Sequence, residues 1–392
     1  FARLWCLHLH VGECYSCELG NGSHLRKVIM NLRKFLFSLV LLLLSIESWA
    51  GDSLATHQNL WDKLYTVVKR FSQIDTAYIE PQRYNYAAML QNTNTYEMYR
   101  ISNRRHQTLQ LSPRMGWRVG PYFGWRWIFL GYTIDVTHLK GGNKRKEFDL
   151  SLYSNQLGID LFYRTTGDDY HIQRFTATTA SNIDFAPLRG LNYNGLEANI
   201  RGFNLYYITN HKRFSYPAAY SQSTRQLRSV GSPILGIGYM HQKLDMDWVV
   251  LQNIIAQQMG RTVLKEVLGS DSTGWSRTHV KYDNFSVSGG YAYNWVFAKN
   301  FLLNVSLSAS LAYLHTISET AKTKVSTFDD FNFNKFTIDG IARMGLVYNT
   351  SRWYAGASAI FHAYNYHEKT FSTNNIFGNV NVYVGFNFGR RK

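Results

Sequence analysis

The chain is poor in cysteine, in charge and in long apolar runs, and each shortage removes a class of protein. Its three cysteines, Cys6, Cys14 and Cys17, all lie in the first 29 residues. The rest can form no disulfide and carry no thiol chemistry. Charged residues make up only 17% of the 392 positions. Beyond residue 50 no apolar run reaches the roughly 20 residues that a membrane-crossing helix needs. Also missing are a Gly-x-Ser-x-Gly elbow, a phosphate-cradling glycine loop and a His-Glu-x-x-His helix.

One shorter apolar run does occur, from Phe35 to Leu44, softened by Ser38. Met30-Asn-Leu-Arg-Lys precedes it, and Ser48-Trp49-Ala50 and Gly51 follow. A basic start, a core of about ten apolar residues and small residues before a cleavage point predict a signal peptide over 30–50. Glu47 interrupts too early for a spanning helix. Residues 1–29 are then expected to be an upstream extension outside the working protein, which is preferred to reading Cys14-x-x-Cys17 as a metal or redox pair.

Removing residues 1–50 leaves 342 residues, with 37 Lys and Arg against 23 Asp and Glu, a net charge near +14. Scattered basic residues on an exported chain argue against nucleic acid and for the phosphates of an anionic lipid surface. Aromatics reach 16%. Many aromatics without helix-length apolar runs suit a barrel wall, whose lipid face takes only every second residue.

Strict alternation supports this. Val380, Val382, Val384, Phe386 and Phe388 alternate with Asn379, Asn381, Tyr383, Gly385 and Asn387. Phe301, Leu303, Val305, Leu307, Ala309 and Leu311 alternate with Asn304, Ser306, Ser308 and Ser310. Period two is a strand signature. The polar faces carry little Lys or Glu, unlike the solvent face of a soluble sheet. The prediction is an all-β, transmembrane, antiparallel up-and-down β-barrel of about 12 strands over residues 96–392. Two less certain strands fall near 107–112 and 117–123. Residues 51–95 are expected to be a periplasmic segment with a short helix near 57–72.

Short turns at 124–126, 154–156, 297–300 and 349–352 alternate with longer connections at 138–147, 166–199, 245–276, 316–335 and 367–376. That is the pattern of short periplasmic turns and long outer loops. Aromatics beside the short turns (Trp117, Trp125, Trp127, Trp295, Phe297, Phe301, Tyr348, Trp353, Tyr354, Phe386, Phe388) suggest one interfacial girdle. The connection 210–229 breaks the rule: it should be a short turn, yet spans twenty residues. Either the register there is wrong or a structured flap extends past the wall.

Further stretches carry a family resemblance. Ile74-Asp75-Thr76-Ala77-Tyr78-Ile79, Gly158-Ile159-Asp160-Leu161-Phe162-Tyr163, and Phe214-Ser215-Tyr216-Pro217-Ala218-Ala219-Tyr220 with Ser229-Val230-Gly231-Ser232 resemble an outer-membrane family of Bacteroidetes-type bacteria known as domain of unknown function 4421. The resemblance implies an outer-membrane location and brings no catalytic motif.

No catalytic, cofactor or metal residue is assigned. The histidines His171, His211, His241, His279, His315, His362 and His367 lack a distinctive serine or carboxylate neighbour in sequence, and the pairs Asp168-Asp169 and Asp329-Asp330 read as solvated loop charge before calcium ligands. Three groups are expected to matter. Asp135, Asp149, Asp160, Arg164, Asp339 and Arg343 should point inward, since a charge facing lipid at the midplane costs roughly 2–4 kcal/mol, and should cross-link into a network that narrows the lumen. Lys140, Lys144, Arg145 and Lys146 form a loop suited to lipopolysaccharide phosphates. Phe386 and Phe388 close the terminal strand needed for insertion. The functional expectation is a narrow pore or structural envelope component without evident catalysis, with no cofactor and an open oligomeric state. Its expected partners are outer-membrane lipid, lipopolysaccharide and the barrel-assembly machinery. The alternative is an outer-membrane lipid hydrolase, which needs a Ser-His pair on adjacent strands facing lipid.

Overall fold

A computed structural model describes residues 6–11 and 73–390, apart from 104–106, 126–127, 132–133, 136–145, 180, 270–276, 317–334 and 369–370. The expected signal peptide, the helix near 57–72, and Lys140, Lys144 and Arg145 lie outside the described residues.

Strands dominate. The first are β1 (Cys6–Val11), β2 (Ile79–Pro81), β3 (Tyr84–Asn103), β4 (Thr108–Pro113), β5 (Trp117–Trp125), β6 (Ile128–Gly131) and β7 (Ile134–Asp135). Then come β8 (Lys146–Tyr153), β9 (Leu157–Thr165), β10 (Tyr170–Thr176) and β11 (Leu196–Ile208). A single-turn helix α1 (Pro217–Tyr220) precedes β12 (Thr224–Gln226) and β13 (Val230–Asp247). Helices α2 (Trp248–Met259) and α3 (Arg261–Leu268) follow. The chain ends in β14 (Arg277–Ala298), β15 (Phe301–Thr316), β16 (Phe336–Asn349), β17 (Trp353–Glu368) and β18 (Phe371–Arg390).

Twelve of these, counting β6 with β7 as one, build a strongly curled antiparallel sheet in the order β3, β5, β6–β7, β8, β9, β11, β13, β14, β15, β16, β17, β18. The last strand returns to the first: β18 pairs with β3 from Phe371 opposite Asn103 to Arg390 opposite Tyr84. Between β6 and β8 the edge is bridged by β1, which is antiparallel to β8 and parallel to β6 at Ile128 and Phe129. Residues Cys6–Val11, set aside by the sequence reading, thus occupy a strand position.

The count of twelve holds, but one member differs. The expected boundary at residue 96 falls inside β3, a wall strand beginning at Tyr84. Its outward positions include Asn92 and Asn94, which bond each other at 2.8 Å. Two asparagines on the outward face erase the apolar period, so alternation could not reveal the strand. The candidate at 107–112 is β4, which pairs with the end of β3 and with β10 beyond the wall. The expected long loop at 367–376 is mostly strand, since β17 runs to Glu368 and β18 starts at Phe371.

The ends of the sheet differ in their connections. At the turn end, β14 joins β15 and β16 joins β17 through tight turns, with Asn300 at φ +71° and Ser351 at φ +72°. Short polar residues tolerate that left-handed region, and Asn349 accepts the Ser351 N–H at 2.7 Å. At the loop end the connections are long and partly helical. Asp247 caps α2 by accepting the Val249 N–H at 2.9 Å.

The outward face is apolar. Val287, Leu307 and Ile338 are 67–69% exposed, a burden no soluble sheet surface usually carries in a continuous band. Along β14 this band runs from Trp295 to Phe285, ten rises of about 3.3 Å that make about 33 Å of strand, or about 25 Å in height at roughly 40° tilt. At its turn-end edge aromatic rings touch in chains: Phe123, Tyr86, Phe388, Phe386 and Trp353 form one, and Trp295, Phe297, Phe301 and Tyr348 another. Two expected girdle members are misplaced. Tyr354 is buried inside, and Trp117 sits at the far end of β5, opposite Asn94.

Candidate functional site: the closed lumen

The inward face offers what the outward face lacks: Ser306, Ser308, Ser310, Asn304, Asn284 and Gln91 are all buried there. Such groups need partners once removed from water. Two sources supply them, the opposite wall and the connections.

The connection 209–229 folds back into the turn end of the lumen. Pro217 presets φ at the start of α1, turning the chain so that Tyr216 and Tyr220 point at β15. Tyr216 Oη lies 2.6 Å from Ser306 Oγ, and Tyr220 donates to Asn304 at 2.6 Å. Gln222, held at φ +56°, donates to Tyr383 Oη at 2.8 Å and accepts from Asn349 at 3.1 Å. A glutamine in that strained region persists only where its surroundings fix it, and here both ends of its amide are engaged. Gly345 makes room for the plug, because a Cβ there would meet Ala219 O at 3.3 Å. Tyr153 and Tyr206 pack their rings on Tyr220 and Tyr216.

A small second sheet holds the plug from below. β2 pairs with β12, Asp75 donates its N–H to Lys212 O at 2.8 Å, and Arg225 bridges Glu80 at 3.1 Å and Asn300 at 2.8 Å. Buried Gln226 gathers Asn294, Ser215 and the carbonyl groups of Tyr78, Arg213 and Arg228. Three stretches of the family resemblance, 74–79, 214–220 and 229–232, therefore meet at this plug. Outside the wall strands, burial and neighbouring Lys212 hold the His211 imidazole below its ordinary value.

Above the plug lie the charges. Arg343 of β16 donates to Asp160 of β9, five strands away around the ring. Arg164 meets Asp149 at 2.8 Å on the adjacent strand β8. Asp339 accepts from Asn284 at 2.8 Å and from the Asn365 N–H at 2.9 Å. Each charge thus finds a partner on another strand, as spacing within a strand requires. Asp135 is in β7, its side chain outside the described residues; Lys146 is exposed at the start of β8. Glu147 adds a pair with Arg118 at 2.9 Å.

Two more bonds cross five strands: Asn204 to Tyr364 at 3.3 Å and Asn375 to Gln242 at 3.2 Å. Between them Phe162, His362, Tyr364 and Phe377 stack. The space left between plug and charges is a cavity of about 50 Å³ lined by Gln91, Ser151, Tyr220, Gln222, Asn381 and Tyr383 among others, room for a few waters.

The loop end is closed by apolar packing. Trp248, Leu251 and Ile255 of α2 and Val267 of α3 join Tyr99, Ile101, Leu109, Leu111, Tyr170 and Tyr193 in one buried cluster. Gln107, beside β4, donates to Val267 O at 2.7 Å, across the mouth from where α2 and α3 leave β13.

Sequence reasoning singled out charged residues of the strands but missed Tyr216, Tyr220 and Gln222. The available signal was the excess length of 210–229, which folds back into the lumen and does not extend past the wall. His241 and His279 meet Asp283 and Asp245, while His171 stands opposite Ser112 and His367 opposite Ser372 on paired strands; Ser306, Ser308 and Ser310 face the lumen. Among the described residues no group of three His, Cys, Asp or Glu side chains could hold a metal ion.

The model of a family described as a domain of unknown function, DUF4421, matches residues 73–388. No curated protein matches the chain. Among solved structures it is similar to the outer membrane protease OmpT of Escherichia coli, at 7% identity over 80% of this chain and 100% of that one, TM-score 0.32. It is also similar to the toluene transporter TodX of P. putida, at 9% identity, 78% and 91% coverage, TM-score 0.24. A third is the translocator domain of the autotransporter NalP of Neisseria meningitidis, at 10% identity, 84% and 94% coverage, TM-score 0.26.

Proposed function

The chain belongs to the DUF4421 family, and from that premise we propose that it is a bacterial outer-membrane β-barrel, closed by its own connections and without evident catalysis. It acts as a narrow pore at most, or as a structural component of the envelope. The turn end is then periplasmic and the loop end faces outward. The observation that carries the reading is the Arg343–Asp160 salt bridge spanning the lumen directly above the plug. A wide channel cannot keep two opposite walls within bonding distance.

The membrane location is supported by the apolar outward band, about 25 Å tall, with buried charges on the other face. Export by the 30–50 signal peptide, a Bacteroidetes-type source and insertion by the barrel-assembly machinery belong to the same proposal. So does contact of the Lys140–Lys146 loop with lipopolysaccharide. The hydrolase alternative keeps one outward pair to rest on, His367 of β17 opposite Ser372 of β18 at the loop end, while no described serine lies beside an outward histidine on β13, β14 or β15.

Single-channel recording in planar bilayers tests the reading. Wild-type protein should pass little current, and Gly345→Val, which crowds Ala219, should raise it. A large steady wild-type conductance that neither Gly345→Val nor Arg343→Ala changes would refute the closed lumen.

A further inference from the structure

The outward face has a second edge at the loop end, and it is not uniform. Phe203 of β11, Tyr239 of β13 and Phe285 of β14 touch in a row. Tyr313 of β15 continues the row, opposite Phe285. Below it every strand turns apolar: Leu205, Ile237, Val287 and Leu311. Two residues above it the character inverts. Arg201, His241 and Asp283 stand side by side in register, and the next level brings Lys243 directly opposite Lys281.

Two like charges directly opposed across strands destabilise a sheet. Lys243 reaches Asp245 at 3.0 Å and remains 42% exposed. Asp283, the other acid here, accepts from Tyr239 and lies against the His241 ring, each at 2.8 Å. Among the described residues, Lys281 and exposed Arg201 have no carboxylate partner. Three cations therefore meet two engaged acids, one residue pair beyond an aromatic row.

We infer that this face of β11, β13 and β14 binds the phosphate of an outer-leaflet lipid. Its acyl chains lie along Leu205, Ile237 and Val287, and its phosphate is held by Arg201, Lys243 and Lys281. An aromatic row marks the headgroup level, which puts the cations where a lipid phosphate sits and a soluble anion has no apolar anchor. Charge-assisted bonds to phosphate would also relieve the Lys243–Lys281 repulsion. The inference rests on the outer-membrane reading above.

The test uses full-length protein purified from membranes, with heat-modifiable mobility as the readout of the barrel. Retention of diphosphorylated lipid A is measured by native mass spectrometry. Arg201→Gln with Lys243→Gln and Lys281→Gln should lower retention at least tenfold. Wild type should hold dephosphorylated lipid A as weakly as this variant does. Should the triple variant fold poorly, Lys281→Gln alone should still lower retention several-fold. Unchanged retention in a heat-modifiable variant, or equal binding of both lipids, overturns the site and leaves the barrel reading intact. Wild-type protein that never appears in outer membranes overturns both.

Discussion

The two mouths of the lumen are closed by opposite chemistry. At the turn-end mouth, Tyr216, Tyr220 and Gln222 end on Ser306, Asn304, Tyr383 and Asn349. At the loop-end mouth, Trp248, Leu251 and Ile255 sink into an apolar cluster with Tyr99, Tyr170 and Tyr193. A hydrogen bond contributes about 1 kcal/mol net because water replaces it when broken. A buried large side chain has no such substitute, and its loss costs about 3–5 kcal/mol. The loop-end cover therefore behaves as core and the turn-end plug as a latch.

Trp248→Ala should be the most damaging single change in this comparison. It empties a fully buried site and removes the 2.9 Å bond to Thr278, so about 3–5 kcal/mol should be lost in urea unfolding of the folded barrel. A loss below 1 kcal/mol would mean the cover is not core.

Arg343→Ala comes next. It leaves Asp160 buried without its cation, with the Ser151 hydroxyl still donating to it, and breaking a buried pair costs about 3–5 kcal/mol. The double change Arg343→Met with Asp160→Leu should recover most of that stability and keep the lumen closed to current. If the double change conducts as freely as Arg343→Ala, the pair acts as more than filler.

Tyr220→Phe keeps the ring stacked on Tyr153 but strips the donor from Asn304, for about 1–3 kcal/mol. The plug should become more sensitive to protease added at the turn end while unfolding of the whole barrel hardly moves. Equal shifts in both would erase the distinction between latch and core.

The smallest effect is on pH. Burial and neighbouring Lys212 hold the folded His211 below its ordinary value of 6.5, so the unfolded turn binds a proton more readily than the folded one. Its stabilising contribution is complete above pH 6.5 and is lost as pH falls from there toward the folded value. Protease sensitivity of 209–229 should rise over that window, and His211→Gln should flatten the rise. A profile unchanged by that substitution would remove His211 from the latch.

What the sequence determined by itself was the wall. A strand with one apolar and one polar face repeats every two residues, so β14, β15, β16 and β18 were legible from alternation, and the inward sense of Asp160, Arg164, Asp339 and Arg343 followed from the cost of charge in lipid. β3 was not legible, because Asn92 and Asn94, joined by one hydrogen bond, stand on the outward face and leave no hydrophobic period to read. The plug was visible only as a connection too long for its place. Which residues it touches depends on β15, β16 and β18, distant in the chain and adjacent only once the sheet curls. The partner of each charge was likewise decided by the tertiary structure. Asp160 meets Arg343 because closing the sheet brings β9 and β16 to face each other, and no local spacing encodes that distance.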